Sequence, residues 1–215
     1  AAGETAVSAA WRKALFLKRP FDAALSFFGL FVSSPLWAVI AALIKIEDGG
    51  PVFYKQDRVG KDGRIFQALK FRSMRTDAER DGPQQAVEDD PRVTRVGRIL
   101  RATAMDELPE LFNIFKGDMS FVGPRALRPN EKEVRGDPDR RDIQDIPGYR
   151  ERHAVRPGLT GLTQVFLPGD TPRRAKFRYD LLYLRKRSFG FDLRLIFLSF
   201  WITFRGKWES RQSKI

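Results

Sequence analysis

An α+β, membrane-associated domain anchored by a bent N-terminal helix is the fold this sequence predicts. Three features point to it. An uncharged apolar run lies near the start, two strand-like segments flank a tight turn, and the C-terminal stretch is both basic and aromatic. The 215 residues fit one domain with an appendage. Hydrophobic residues make up 42% of the chain, enough for a packed core.

The apolar run follows Lys18-Arg19-Pro20. From Ala23 to Ile44 there are 22 residues without a charge. As helix this is roughly 33 Å, enough to cross the hydrocarbon core. Length alone fits an ordinary spanning helix. Two details fit a helix that enters, bends and returns to the same face. Pro35, in Ser33-Ser34-Pro35, removes a backbone donor and clashes with the preceding turn, so a break is expected at Ser34-Pro35. The serine hydroxyls can bond the carbonyls this frees. Positive charge also stands on both flanks: Arg12, Lys13, Lys18 and Arg19 before the run, Lys45, Lys55, Arg58 and Lys61 after it. Positive residues prefer the cytoplasmic side, and a returning helix puts both flanks there. Proline kinks also occur in spanning helices, so both topologies stay open. A signal peptide fits poorly, because the run is long and lacks a small-residue cleavage site. Residues 1–10 read as a disordered end or an expression remnant, 11–46 as the re-entrant membrane helix, 47–208 as the main domain with interfacial C-terminal helices and 209–215 as a tail.

Beyond the turn cluster Glu47 to Pro51, PVFYKQDRVG and RIFQALKFRSM read as two strands of a hairpin turning at Lys61-Asp62-Gly63. Residues 76–90 are a polar loop with acids at Glu88, Asp89 and Asp90. VTRVGRILRAT carries apolar residues at helical spacing, and DELPELFNIFK, Asp106 to Lys116, reads as a second helix stopped by Gly117. FVGPRALRP is a loop, and 131–145 an exposed charged segment. RHAVRPGLTGLTQVF is a turn leading into a strand. Near the end, the densest apolar stretch, Leu193 to Phe204, has 12 residues, too few to span. With Arg185-Lys186-Arg187 and Arg205 to Lys207 at its edges, it suits interfacial amphipathic helices; a core helix is the alternative.

Composition narrows the chemistry. Lys and Arg number 39 against 27 acids, for a net charge of +12. This points to a polyanionic partner: nucleic acid, an anionic membrane or a phosphorylated substrate. With no Cys and one His, His153, thiolate catalysis, disulfides and multi-His metal sites are excluded. Carboxylates, Lys, Tyr or Ser must carry any chemistry. His153 itself reads as structural.

Asp106 and Glu107 stand out. Pro109 is tolerated in a first helical turn, which places the pair near a helix start, beside N–H groups that attract phosphate. With Mg2+, which prefers carboxylate oxygens and substrate phosphates, this is a candidate phosphoryl-transfer centre. A plain N-cap is the simpler reading of the pair taken alone. Candidate phosphate-binding cations are Lys70, Arg72, Arg101, Arg125 and Arg156. Arg125 and Arg156 sit beside Gly and Pro, which hold a side chain in place.

The runs KFRSM, VGRILRATAMDELPELFNIFKGDMSFVGPR and RHAVRPGLTGLTQV, in this order, resemble the monotopic phosphoglycosyl transferases, bacterial sugar transferases that begin glycoconjugate assembly. Upstream, KRPFDAAL, SSP and GGPVFYKQDRVG resemble that family's entrance segment, so the likeness runs from about Lys18 to Lys207 and is to the minimal members. The resemblance implies a re-entrant helix broken at Ser34-Pro35 and a catalytic dyad of Asp106 and Glu107. Asp106 would attack a nucleoside diphosphate sugar, forming a covalent aspartyl phosphosugar that polyprenyl phosphate then accepts. It further implies Mg2+ held at Asp106 and Glu107, and Gln164 among the substrate-binding residues. It places the chain at the cytoplasmic face of the bacterial inner membrane among membrane lipids, with no nucleic acid partner. A homodimer is compatible with it. The sequence departs from the pattern after GPR, where Ala126 and Asn130 replace a Pro and a Glu, with Glu131 next door. It departs again in VFLPGDTPRR, so the sugar cannot be carried across.

Two rivals use other features. A basic module that binds anionic surfaces accounts for the charge and would release from vesicles at high salt. A Mg2+-dependent phosphatase or nucleotide diphosphatase would use the same aspartate but pass the group to water, indifferent to a lipid acceptor.

Overall fold

The computed structural model describes residues 2–80, 90–129, 131, 142–169 and 171–205, with side chains from residue 16 onward. Asn130, Glu88, Asp89, most of the charged 131–145 segment and the 209–215 tail therefore lie outside the described residues. The architecture is α+β: helix α1 (Ala2–Asp48), a hairpin of β1 (Phe53–Val59) and β2 (Ile65–Phe71), α2 (Arg95–Ala102) and α3 (Glu110–Lys116) follow in order. Then come β3 (Ser120–Val122), α4 (Tyr149–Arg152), β4 (Gly158–Thr160), α5 (Leu162–Phe166), α6 (Arg173–Lys186) and α7 (Phe189–Phe204).

α1 already includes residues 2–10, and it is not interrupted at Ser34-Pro35. Pro35 cannot bond the carbonyl four residues back, that of Phe31; the Ser34 hydroxyl donates to that oxygen instead, at 2.8 Å. Within α1, Phe16–Asp48 is long and apolar enough to cross a membrane. Both its ends are nevertheless bonded to the same domain. Near the start, Lys18 pairs with Asp192, Arg19 donates to the carbonyls of Ile114 and Phe115, and Asp22 accepts from Ser120 Oγ at 2.7 Å. At the end, Glu47 accepts from the first amides of α2, Arg95 N and Val96 N, and Asp48 pairs with Arg72. Much of its outward surface is apolar. Asp22 and Ser26 are buried, while Phe27, Phe28, Phe31 and Ile46 are exposed.

The expected hairpin forms, antiparallel, with Tyr54 opposite Lys70 and Arg58 opposite Phe66. Cross-strand partners share a face, so Tyr54, Gln56, Arg58 and Lys70 line one side of it. Two expectations are corrected. The strand after RPG is three residues long, and LTQVF continues as helix α5, not as strand. The loop FVGPR begins with a strand, β3, which pairs in parallel with β4. Gly123 and Gly158 explain the closeness of these segments: a Cβ on Gly158 would lie 2.0 Å from Gly123 N. The GPR and RPG motifs are thus two interlocked backbones. Around them Leu111, Ile114, Val122, Val165, Leu195 and Ile202 form the main core.

The C-terminal stretch folds as two helices, α6 and α7. α7 buries Leu195 and Ile202 and exposes Phe197, Phe200, Trp201 and Phe204.

Candidate active site

The second helix starts later than expected. Asp106 and Glu107 lie on a single 3-10 turn, Met105–Glu107, and α3 begins at Glu110 after Pro109. The amides of Glu107 and Leu108 are already bonded, to Ala104 O and Met105 O. The pair is therefore not at a ring of open helix N–H groups. Its anionic character is met by side-chain cations instead.

Lys70 is the centre of that arrangement. Its Nζ lies 2.6 Å from Glu107 Oε1 and 3.4 Å from Glu110 Oε1. Arg125 Nη2 approaches the same Glu107 oxygen at 3.5 Å. Glu107 and Glu110 are buried, and Asp106 is half-buried beside them. Burial favours the neutral form of each carboxyl, but at Glu107 the Lys70 and Arg125 charges outweigh it and hold the group ionised. At Glu110 burial prevails, aided by the Glu107 charge, and the pKa is raised. Burial lowers the Lys70 pKa, but Glu107, Glu110 and Asp106 raise it further, so the ammonium persists.

Asn113 sets the register of this cluster. Its amide accepts from Leu69 N at 2.9 Å and donates to Gln67 O at 2.7 Å, meeting the outer edge of β2 from α3. This brings Lys70 over the turn that bears Glu107. Arg101 closes α2 one turn before the pair.

The other expected residues are placed elsewhere. Arg72 is buried in its pair with Asp48 and donates to Pro51 O at 2.6 Å, tying β2 to the end of α1. Arg156 Nε donates to Gly117 O at 2.7 Å, at the opposite end of α3 from Glu107. Gln164 is buried in α5, accepting from Thr163 Oγ1 at 2.7 Å. Lys70, Glu107 and Arg125 are thus brought together with Asp106, while Arg72, Arg156 and Gln164 hold the scaffold around them. Glu131 pairs with Arg173 and accepts from Arg128 N at 3.1 Å, fastening the loop after GPR to the start of α6.

Glu110 is a site residue that local pattern did not single out. Its spacing of three from Glu107 was the available signal, because such neighbours share a face. The buried Arg152–Asp180 pair, at 2.8 Å, was legible in no local pattern.

His153 is structural, as expected. Arg152 Nη1 lies 3.2 Å from Nε2, and an arginine can only donate, so the ring proton sits on Nδ1, 2.7 Å from Tyr149 O. Burial, then the Arg152 charge, lowers its pKa from 6.5 to about 4. The unfolded chain binds a proton in that window and the folded chain does not, so stability should fall as pH drops from about 6.5 to about 4. In denaturant titrations across this range, His153→Gln should remove that part of the slope.

Among the described residues no three His, Asp or Glu side chains gather as a closed metal cage. Mg2+ does not need one: it binds through one or two carboxylates together with substrate phosphates and retained waters. The adjacent Asp106 and Glu107 fit that partial donor set.

A half-buried aspartate beside a charge-balanced acid–lysine–arginine cluster, on a domain with an apolar exterior, suits an enzyme of phosphorylated substrates at a membrane. The family model for bacterial sugar transferases matches residues 13–206, and this chain belongs to that family. It is 44% identical over 189 residues to the exopolysaccharide production protein PSS of Rhizobium leguminosarum bv. phaseoli, covering 85% of this chain and 92% of that one. It is 40% identical over 185 residues to the UDP-N-acetylgalactosamine-undecaprenyl-phosphate N-acetylgalactosaminephosphotransferase of Aeromonas hydrophila. It is 42% identical over 192 residues to the UDP-glucose:undecaprenyl-phosphate glucose-1-phosphate transferase of Klebsiella pneumoniae. Those two matches cover 85% and 86% of this chain but 42% and 39% of the larger relatives.

Proposed function

We propose that this chain transfers a sugar 1-phosphate from a UDP-sugar to polyprenyl phosphate, through a covalent intermediate on Asp106. The carrying observation is the placement of Asp106 on the turn whose neighbour, Glu107, is held ionised by Lys70 and Arg125. The names of the relatives support the substrates.

The reaction runs in two displacements. An Asp106 oxygen attacks the phosphorus bearing the sugar, and the P–O bond to the nucleotide breaks. Nucleoside monophosphate leaves with the electron pair. A phosphate oxygen of the lipid then attacks the same phosphorus, and the carboxylate departs. The products are polyprenyl diphosphate sugar and a restored Asp106. Lys70 and Arg125 counter the charge on the phosphates, and Glu107 keeps both cations in place. Mg2+, when held by Asp106 and Glu107, adds further charge neutralisation at the phosphates.

The assay is nucleoside monophosphate release from a panel of UDP-sugars in detergent. Sustained release should require both undecaprenyl phosphate and Mg2+, and chelation should stop it. Equal turnover without lipid would make the enzyme a hydrolase.

The same reading makes the enzyme monotopic, on the cytoplasmic face of the bacterial inner membrane, in the exopolysaccharide or related polysaccharide pathway. Support comes from the two ends of α1, both bonded to one domain, and from the outward aromatic faces of α1 and α7. Such a topology needs a bend near Pro35. Leu17→Cys and Ile46→Cys, both at exposed positions, should each be labelled by an impermeant thiol reagent from the cytoplasmic side only. Labelling from opposite faces would establish a spanning helix.

A further inference from the structure

The loop that carries Arg125 is held from outside itself at three consecutive carbonyls. Arg152 Nη2 donates to Arg125 O at 2.6 Å, Arg58 Nη1 to Ala126 O at 2.8 Å, and Val59 N to Leu127 O at 2.8 Å. The two guanidinium groups come from separate elements, β1 and α4, and each is fixed in turn. Arg58 also donates to Gln56, Gln56 Nε2 to the Tyr54 hydroxyl at 3.1 Å, and that hydroxyl to Glu79 at 2.6 Å. Arg152 is paired with Asp180 and lies 4.9 Å over the Phe177 ring.

With those three carbonyls held, the backbone under Arg125 is fixed, and its side chain meets Glu107 at 3.5 Å. Arg152 is only 2% exposed and cannot touch a substrate. Arg58 has both terminal nitrogens engaged, one with the loop and one with Gln56. The two arginines thus spend their donors on the segment that carries Arg125 and on their own anchors.

We propose that Arg58 and Arg152 are positioning residues: a two-sided clamp that aims the Arg125 guanidinium at the phosphates of the donor. The inference rests on the transfer reading above. An arginine with a long, flexible side chain gains directional precision only if its backbone is fixed, and small misplacements of a charge-stabilising group are costly.

The test is a mutant cycle on the full chain with UDP-sugar turnover as readout. Arg58→Lys and Arg152→Lys keep the charge, and the latter keeps a partner for Asp180, but each loses the planar fork. In the parent background each should lower kcat/KM for the donor roughly 10- to 100-fold. In an Arg125→Ala background the same changes should cost less than about threefold, because the group they aim is gone. Equal losses in both backgrounds, or no loss in the parent, would overturn the clamp. Hydrogen exchange gives a readout independent of activity. Amides of residues 122–129 should exchange about tenfold faster in Arg58→Lys, which sits at a half-buried edge and does not disturb the buried pair. Unchanged exchange overturns the proposal even if Arg152→Lys fails to fold. A parent that releases no nucleotide counts against the transfer reading alone, and exchange then decides the clamp.

Discussion

Asp106→Asn should lower nucleoside monophosphate release by at least about 1,000-fold while leaving the fold intact. Asparagine has nearly the same shape but no carboxylate to form the acyl phosphate. Asp106 is half-buried, and the buried charges of Glu107, Glu110 and Lys70 are balanced with one another and with the exposed Arg125, so the change leaves Lys70 and Arg125 their pairing with Glu107. Two readouts separate chemistry from binding. With lipid withheld, the parent should release close to one nucleotide per chain in a burst and carry sugar label after denaturation. The Asn variant should show neither. Glu107→Gln should also be slow, for a different reason: Lys70 and Arg125 lose the charge that holds them. Undiminished release by Asp106→Asn would remove the nucleophile and the two-step mechanism with it.

Lys70→Met should produce the largest loss of stability in the site, about 3–5 kcal/mol, measured by denaturant titration in detergent. Lys70 is the ammonium between two buried carboxylates, at 2.6 and 3.4 Å. Its removal leaves Glu107 with the more distant Arg125 and Glu110 without an ion-pair partner among the described residues. The sign of the pH dependence follows. In the parent, Glu107 has a lowered folded pKa, so its contribution is present above the ordinary 4.5 and is lost as pH falls through the folded value. Without Lys70, the Glu107 pKa should rise from its lowered value and that of Glu110, already raised by burial, should rise further. The folded chain then holds protons the unfolded chain has released, and stability declines as pH rises above 4.5. The deficit of Lys70→Met should therefore be larger at pH 8 than at pH 5. Adding Glu107→Gln and Glu110→Gln should recover much of the stability at pH 8 without restoring turnover, since two neutral amides no longer need a counter-ion. A deficit independent of pH would mean that the cluster is held by packing rather than by charge.

Local pattern carried much of the architecture. The hairpin was legible because Lys61-Asp62-Gly63 separates two runs of strand residues. The end of α3 was legible because Gly117 is strong punctuation, and it takes a φ of 102°. The aspartate–glutamate pair announced itself by adjacency and by Pro109. The family followed from long motifs in order, which is information about descent as much as about physics.

What the sequence determined by itself was therefore what acts over a few residues: the hairpin, the helical character of α2, α6 and α7, and the apolar run. The tertiary structure decided which cations lie beside the Asp106–Glu107 pair. Arg72, Arg125 and Arg156 look alike in sequence, each a basic residue in a motif, yet one anchors α1, one reaches Glu107 and one closes α3. The short parallel pairing of β3 with β4 was equally hidden, because its partners are 38 residues apart at Ser120 and Gly158 and neither segment is long enough to show a period. Glu110 was hidden by a different cause: on a helix surface a glutamate is ordinary, and only the approach of β2, fixed by Asn113, buries it against Lys70. Charge chemistry depends on distance in space and on exclusion of water, and both are set by contacts that local sequence does not record.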